Sequence, residues 1–114
     1  MQAIAVENPG PDYRLFLKEQ ATPEPGASEI LIKVAGAGLN HADLLQAKGH
    51  YPPPPGASAI LGMEVSGTVA ALGKQVKGFA VGDQVCALIP GGGYAEYAAA
   101  AASATLKVPA SIAL

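Results

Sequence analysis

Short apolar segments separated by glycine and proline run along the whole chain. The clearest pattern lies at residues 29–38, where Ile30, Ile32 and Val34 alternate with Leu31 and Lys33, as in a half-buried strand. The 14 glycines and 10 prolines are spread over the chain instead of marking one linker. This spacing predicts a mainly β fold, a partly open β-barrel with one or two short helices. The predicted strands are residues 2–7, 13–20, 29–38, 61–72, 84–90, 94–99 and 105–108.

One segment, residues 40–49, has the start and stop signals of a helix. Asn40 can act as its N-cap, Asp43 lies in the first turn where an acid complements the helix dipole, and Gly49 ends it. Four prolines at 52–55 follow and predict a stiff, extended loop. Such a tract can also be a ligand for proline-binding domains, but strand residues follow it at once, which favours the loop.

The alanine run at 98–102 is locally helix-forming, but its neighbours favour two strands joined by a short turn. At the C-terminal end of the sequence, Ser111 is placed as the N-cap of a helix that has no room to form before Leu114. We therefore expect residues 1–114 to be one domain cut from the N-terminal part of a longer protein.

Composition and charge narrow the possible functions. Half of the residues are hydrophobic and 14% are charged, which excludes disorder and indicates apolar surface left uncovered. The net charge of −2 favours neither nucleic acid nor an anionic membrane as a partner. Cys86 is the single cysteine, so no internal disulfide forms and a cytoplasmic location is expected. The sequence predicts neither a membrane span nor a signal peptide.

Two motifs carry a family resemblance. The run at 62–69, Gly-Met-Glu-Val-Ser-Gly-Thr-Val, and the run at 79–85, Phe-Ala-Val-Gly-Asp-Gln-Val, resemble the medium-chain dehydrogenase/reductase superfamily. The similarity extends over residues 34–43, 49–51, 61–73, 81–85 and 91–97. It implies that the barrel is the GroES-like domain of that superfamily.

The superfamily has a zinc-dependent and a zinc-independent branch, and the metal ligands indicate which branch a sequence resembles. In the zinc-dependent branch a cysteine stands at the position of Asn40 and a histidine at that of Met63. Asparagine is a poor zinc ligand, and a thioether prefers softer metals. Residues 90–94 also pass directly to the next strand, without the cysteine-rich zinc loop. We expect no metal site, and the chain is similar to the zinc-independent quinone oxidoreductases, above all to the p53-inducible quinone reductase subgroup through residues 49–56.

This resemblance implies hydride transfer from NADPH to a quinone or a related electrophilic carbonyl compound. The cofactor would lie in a cleft between this domain and a dinucleotide-binding domain that follows it. The whole enzyme would be a homodimer, and the 114 residues alone would be inactive because they lack that second domain. Two alternatives remain: a free-standing GroES-like binding or chaperone module, and a zinc alcohol dehydrogenase fragment, which the missing ligands disfavour.

The resemblance also assigns site residues. Asn40 and Asp43 match cofactor-binding positions, although both are equally explained by capping their helix. Tyr51 matches a tyrosine beside the nicotinamide, where a phenol can stack on the ring and donate to a carbonyl oxygen that gains negative charge. Tyr51 is thus the candidate catalytic residue, and packing on the proline loop is the alternative.

Four other polar residues are expected to have no catalytic role. His41 could approach a cofactor phosphate, but we expect it, like His50, to be solvated. Glu64 is expected to accept buried hydrogen bonds, because an unpaired buried carboxylate is costly. Cys86 is expected to be a small buried core residue.

Overall fold

The structure is a computed structural model that describes residues 1–49 and 58–113. Seven strands and one short α-helix lie in these residues, and they confirm the predicted mainly β class. The elements are β1 (Gln2–Glu7), β2 (Arg14–Glu19), β3 (Glu29–Ala37), α1 (His41–Ala47), β4 (Glu64–Leu72), β5 (Gln84–Leu88), β6 (Tyr97–Ala101) and β7 (Thr105–Lys107), with a 3₁₀ turn at Ala102–Ala104.

Two antiparallel sheets form a curled half-barrel. The larger has the strand order β6-β3-β4-β5-β7, and the smaller is the β1-β2 hairpin. β1 joins them, because the Ile4 N–H donates to the Tyr94 carbonyl at 2.8 Å and the Glu96 N–H donates to the Gln2 carbonyl at 3.1 Å. An isolated bridge between Ala3 and Ala95 lies between these two bonds.

The core lies on the inner face of the larger sheet. Ile30 and Ile32 are fully buried on β3 while Lys33 is exposed, which confirms the alternation predicted there. Two register shifts against β4, at Leu31/Ile32 and Val34/Gly36, interrupt the β3 ladder before it reaches α1. The buried cluster comprises Ile30, Ile32, Val65, Val69, Val85, Ala87, Ile89, Ala98 and Ala100.

Two predicted strands begin three residues later than expected. β4 begins at Glu64 and not at Leu61, because Gly62 has φ +103°, outside the extended region. β6 begins at Tyr97 and not at Tyr94, because residues 92–94 bond to the segment before β4 instead of to β3. The alanine run is a strand as far as Ala101, as predicted, and then turns.

The predicted helix is present but shorter at its end. Asn40 is the N-cap and Lys48 the C-cap of α1. Near Ser111 the described chain forms a turn, with the Ile112 N–H donating to the Pro109 carbonyl at 2.9 Å. The proline tract at 52–55 lies outside the described residues. Within residues 1–49 and 58–113, no helix has the length and apolar character needed to cross a bilayer.

Candidate functional site

The carboxylate of Asp43 is the centre of the candidate site. Asp43 lies in the first turn of α1 and is 3% exposed. Oδ2 accepts hydrogen bonds from the Asn40 N–H at 2.9 Å and from the Tyr94 hydroxyl at 2.7 Å, while Oδ1 accepts the Gly62 N–H at 3.2 Å. One buried acid therefore holds together the start of α1, the turn before β4 and the segment before β6.

A backbone-to-backbone contact makes this arrangement possible. The N–H groups of Gly93 and Tyr94 donate to the carbonyls of Gly62 and Leu61, at 3.0 and 2.9 Å. A Cβ on Gly62 would lie 2.7 Å from the Tyr94 nitrogen, closer than side chains pack. Both the positive φ and this close approach require glycine at position 62.

The Tyr94 phenol is kept protonated by its surroundings. Burial raises the pKa of Tyr94 well above its ordinary value of about 10. The hydrogen bond to Asp43 and the negative charges of Asp43 and Glu64 raise it further. The hydroxyl oxygen also lies 3.4 Å from the Gly38 carbonyl oxygen. Tyr94 therefore acts as a hydrogen-bond donor throughout the physiological pH range.

A cavity of about 330 Å³ opens beside this network. Its walls are apolar apart from Asn40, His41, Asp43 and the two phenols, and Asn40 is half-buried. An amide that both donates and accepts, in an apolar recess, suits a ligand with an apolar ring and a few hydroxyl or amide groups. The lining residues are Tyr13, Leu15, Leu39, Asn40, His41, Asp43, Leu44, Ala47, Leu61 and Tyr94.

The structure brings together two of the three predicted site residues. Asn40 and Asp43 both line the cavity, in the capping positions expected for them. Their cofactor-binding role stays a prediction. Tyr51, the predicted catalytic residue, lies outside the described residues, as does His50. His41 is exposed, in agreement with the solvated state expected for it.

Sequence reasoning missed Tyr94 as the partner of Asp43. The two residues are 51 positions apart, and no pattern in the sequence links one to the other. The signal in the sequence is the Gly91-Gly92-Gly93 run directly before Tyr94, because all three glycines are buried and two of them, Gly91 and Gly93, lie where backbones meet. Such a run before an aromatic residue indicates a close approach that fixes the aromatic side chain.

Two expectations for other residues are corrected. Glu64 is half-buried, but its carboxylate accepts no side-chain hydrogen bond within the described part of the chain, and it lies against Gly38. Cys86 is also half-buried, on the outer face of the sheet, while its neighbours Val85 and Ala87 occupy the core. Both errors have one cause: the alternation along a strand directs these side chains away from the core.

Among residues 1–49 and 58–113, no group of three or more His, Cys, Asp or Glu side chains is placed to hold a metal ion. The expected absence of zinc stays a prediction.

Similar proteins were identified by comparison with known sequences. The family Alcohol dehydrogenase GroES-like domain matches residues 26–110. The acryloyl-coenzyme A reductase of Sulfurisphaera tokodaii is 45% identical over 89 residues, which are 78% of this chain and 26% of that enzyme. The quinone oxidoreductase of Lama guanicoe is 36% identical over 114 residues, which are 98% of this chain and 34% of that enzyme.

Solved structures show the same fold. The crystal structure of Escherichia coli quinone oxidoreductase complexed with NADPH superposes with a TM-score of 0.83 at 28% sequence identity. The match covers 98% of this chain and 34% of that one. The chain thus spans about a third, or less, of the length of these relatives.

Proposed function

Because the chain belongs to the Alcohol dehydrogenase GroES-like domain family, we propose that it is the N-terminal part of a zinc-independent oxidoreductase. The reaction is hydride transfer from NADPH to a quinone or a related conjugated carbonyl compound. The dinucleotide-binding domain lies outside residues 1–114, the whole enzyme is a cytoplasmic homodimer, and the isolated chain is inactive. The similarity to quinone oxidoreductases along nearly all of the chain supports this assignment.

One structural observation carries the proposal: Asn40 lines an apolar cavity while the buried Asp43 holds its backbone in place. The Asn40 amide can donate to and accept from the ribose hydroxyls of a nicotinamide nucleotide. Asp43 is a positioning residue in this scheme, because its carboxylate is already occupied by protein donors. The residues present therefore fit the nicotinamide end of the cofactor.

NADPH, when bound, supplies a hydride, which is two electrons and one hydrogen nucleus. A quinone that receives this hydride and one proton becomes a hydroquinone, and NADP⁺ remains. The Tyr51 phenol is proposed to donate a hydrogen bond to the quinone oxygen that becomes negative, which lowers the barrier. This role rests on the sequence alone.

A second acceptor class deserves equal testing because of a specific similarity. The reductase of Sulfurisphaera tokodaii has 45% identity and acts, by its name, on acryloyl-coenzyme A. An acryloyl thioester is also a conjugated carbonyl compound. Hydride would add to its β carbon and a proton to its α carbon, with the same requirement for a donor at the carbonyl oxygen.

The test compares the 114-residue chain with the longer reading frame that contains it. NADPH oxidation is followed with a panel of quinones and with acryloyl-coenzyme A, and repeated with NADH. We expect turnover by the longer protein only. If neither protein oxidises NADPH, and the isolated chain instead binds unfolded polypeptides, the binding-module alternative is correct.

The role of Tyr51 is tested in the longer protein with Tyr51→Phe. We expect kcat to fall by about a hundredfold to a thousandfold, as for loss of one donor to a developing oxyanion. Tyr97→Phe is the matched control, because no side-chain hydrogen bond of Tyr97 is present within residues 1–49 and 58–113. Unchanged turnover and NADPH affinity in Tyr51→Phe would remove the proposed role. Stoichiometric zinc in the purified protein would contradict the zinc-free mechanism.

A further inference from the structure

Three further residues line the cavity beside Asn40 and take no part in the proposed contact with the cofactor. They are Tyr13 and Leu15, from the β1-β2 hairpin, and Leu44 of α1. Tyr13 is half-buried, and Leu15 and Leu44 are exposed. With about 330 Å³, the cavity lies at the small end of the roughly 300–1,000 Å³ range of ligand sites. The groups that enter it must therefore be compact.

The turn that carries Tyr13 has a defined shape and is anchored to α1. It connects β1 to β2, and Asn8 and Gly10 have φ values of +55° and +146° there. A positive φ is uncommon for a residue other than glycine and marks a conformation that its surroundings maintain. The Gly10 N–H donates to the carbonyl of Ala47, the last residue of α1, at 3.1 Å, and the Tyr13 N–H donates to the Gly10 carbonyl at 3.2 Å. Backbone contacts of this kind hold a binding residue in one place.

The two phenols that line the cavity differ in their hydrogen bonds. The Tyr94 hydroxyl donates its proton to Asp43 at 2.7 Å, so this proton is already used within the protein. Across residues 1–49 and 58–113, the Tyr13 hydroxyl has no hydrogen-bond partner. Tyr13 therefore offers a ligand both a flat apolar ring and an unused O–H group.

Hydride transfer determines which ligand lies beside these residues. The acceptor must approach the nicotinamide to about 3–3.5 Å, so it must enter the cavity in which Asn40 binds the cofactor. We propose that Tyr13 contacts the hydride acceptor and is a specificity-determining residue that favours a ring quinone over an acryloyl thioester. This rests on the proposed function, in which the nicotinamide end of NADPH binds at Asn40.

The structures of the two acceptor classes explain the preference. A quinone is a planar conjugated ring, and such a ring stacks on a phenol ring in an offset arrangement. A para-quinone also has a second carbonyl oxygen, which can accept the free O–H of Tyr13 while Tyr51 donates to the first. An acryloyl group has no ring and a single carbonyl oxygen. Tyr13 therefore stabilises the transition state for a quinone more than that for the thioester.

The test compares two acceptors in the longer protein. The value of kcat/KM is measured for duroquinone and for acryloyl-coenzyme A, in wild type and in Tyr13→Leu, which removes the ring and the hydroxyl. Duroquinone is chosen because methyl groups on its ring carbons prevent addition of the Cys86 thiol. We expect a fall of about tenfold for duroquinone and a change within about twofold for acryloyl-coenzyme A. An equal fall for both acceptors, an unchanged value for duroquinone, or a wild type that reduces only acryloyl-coenzyme A would overturn the proposal.

Further variants separate the ring from the hydroxyl. Tyr13→Phe keeps the ring and should lower kcat/KM for duroquinone by about threefold, the effect of one lost hydrogen bond. Asp12→Asn, at the exposed neighbouring position of the same turn, is the matched control and should leave both acceptors within about twofold. If Tyr13→Leu does not fold, as judged by circular dichroism, Tyr13→Met replaces it with the same expected result.

The dissociation constant of NADPH distinguishes an acceptor contact from a general effect on the site. Fluorescence titration should give a value within about twofold of wild type in each Tyr13 variant, because Tyr13 contacts the acceptor and not the cofactor. A tenfold weaker NADPH affinity in Tyr13→Leu would place the side chain at the cofactor, or in a merely structural role, and would overturn the proposal.

Duroquinone binding, measured by isothermal titration calorimetry on the longer protein, lets the two hypotheses fail separately. If wild type does not oxidise NADPH, but Tyr13→Leu binds duroquinone about tenfold more weakly, the proposed function is wrong and the Tyr13 contact is correct. Turnover of duroquinone with identical constants in wild type and Tyr13→Leu would contradict the role of Tyr13 alone. A wild type that neither oxidises NADPH nor binds duroquinone would contradict both.

Discussion

The hydroxyl of Tyr94 donates a hydrogen bond of 2.7 Å to Oδ2 of Asp43, although 51 positions separate the two residues. The same oxygen accepts the N–H of Asn40, the N-cap of α1. A helix of seven residues is too short to be stable by itself in water. Its position at the cavity therefore depends on this long-range contact more than on helix propensity.

Tyr94→Phe should destabilise the 114-residue chain by about 1–3 kcal/mol, because it leaves a buried carboxylate with one donor fewer. Urea denaturation followed by circular dichroism gives the free energy of unfolding. Tyr97→Phe is the control and should change it by less than about 0.5 kcal/mol. A loss of equal size in both variants would mean that the Asp43 bond contributes nothing specific.

The stability of the chain should also depend on pH through Tyr94. Since the folded state raises the pKa of this phenol, the folded protein keeps a proton that the unfolded chain loses above about pH 10. The stabilisation by Tyr94 is thus fully present below that pH and is lost as pH rises further. The difference in urea midpoint between wild type and Tyr94→Phe should be constant from about pH 8 to 9.5 and shrink above about pH 10. A difference that stays constant at high pH would contradict this.

Asp43→Asn keeps the size of the side chain but replaces an acceptor oxygen by a donor. One of the three donors that now point at the carboxylate would then face an NH₂ group. We expect a loss of about 2–4 kcal/mol in the free energy of unfolding. Asp12→Asn, at an exposed position of the β1-β2 turn, is the control and should be neutral. If Asp43→Asn is as stable as wild type, the carboxylate does not hold together the start of α1, the turn before β4 and the segment before β6.

Gly62→Ala should be among the most damaging single substitutions. It combines strain at φ +103° with overlap between the new Cβ and the Tyr94 backbone. Gly78→Ala separates the two effects, because Gly78 has φ +85° but nothing within 4 Å of an added Cβ. We expect about 1 kcal/mol for Gly78→Ala and at least about 3 kcal/mol for Gly62→Ala, measured by urea denaturation. Equal losses in the free energy of unfolding would show that the close contact between Gly62 and Tyr94 adds nothing to the cost of the substitution.

Local patterns in the sequence predicted the parts of the fold that local forces determine. The alternation of Ile30 and Ile32 with Lys33 was sufficient to place β3, and Asn40 with Asp43 was sufficient to place the start of α1. The start of β4 was predicted too early, because a propensity argument reads the apolar Leu61 but does not foresee the left-handed turn at Gly62.

The candidate site was predicted only in part, for a physical reason. Asn40 and Asp43 are neighbours on one helical turn, whereas Tyr94 reaches Asp43 only because two glycine backbones touch. The orientation of Glu64 could have been deduced, since its neighbour Val65 belongs to the core and side chains alternate along a strand. What no local pattern contains is which distant segment packs on which.

The three donors gathered on Asp43 have a consequence for motion as well as for stability. Asn40, Gly62 and Tyr94 share one acceptor group, so that none of them can move far without weakening the hold on the other two. Opening of the cavity wall is then a single cooperative event that involves the N-cap, the turn and the phenol together. The amide hydrogens of Asn40 and Gly62 should consequently exchange with solvent deuterium at one common rate, set by the breaking of the hydrogen bonds to Asp43.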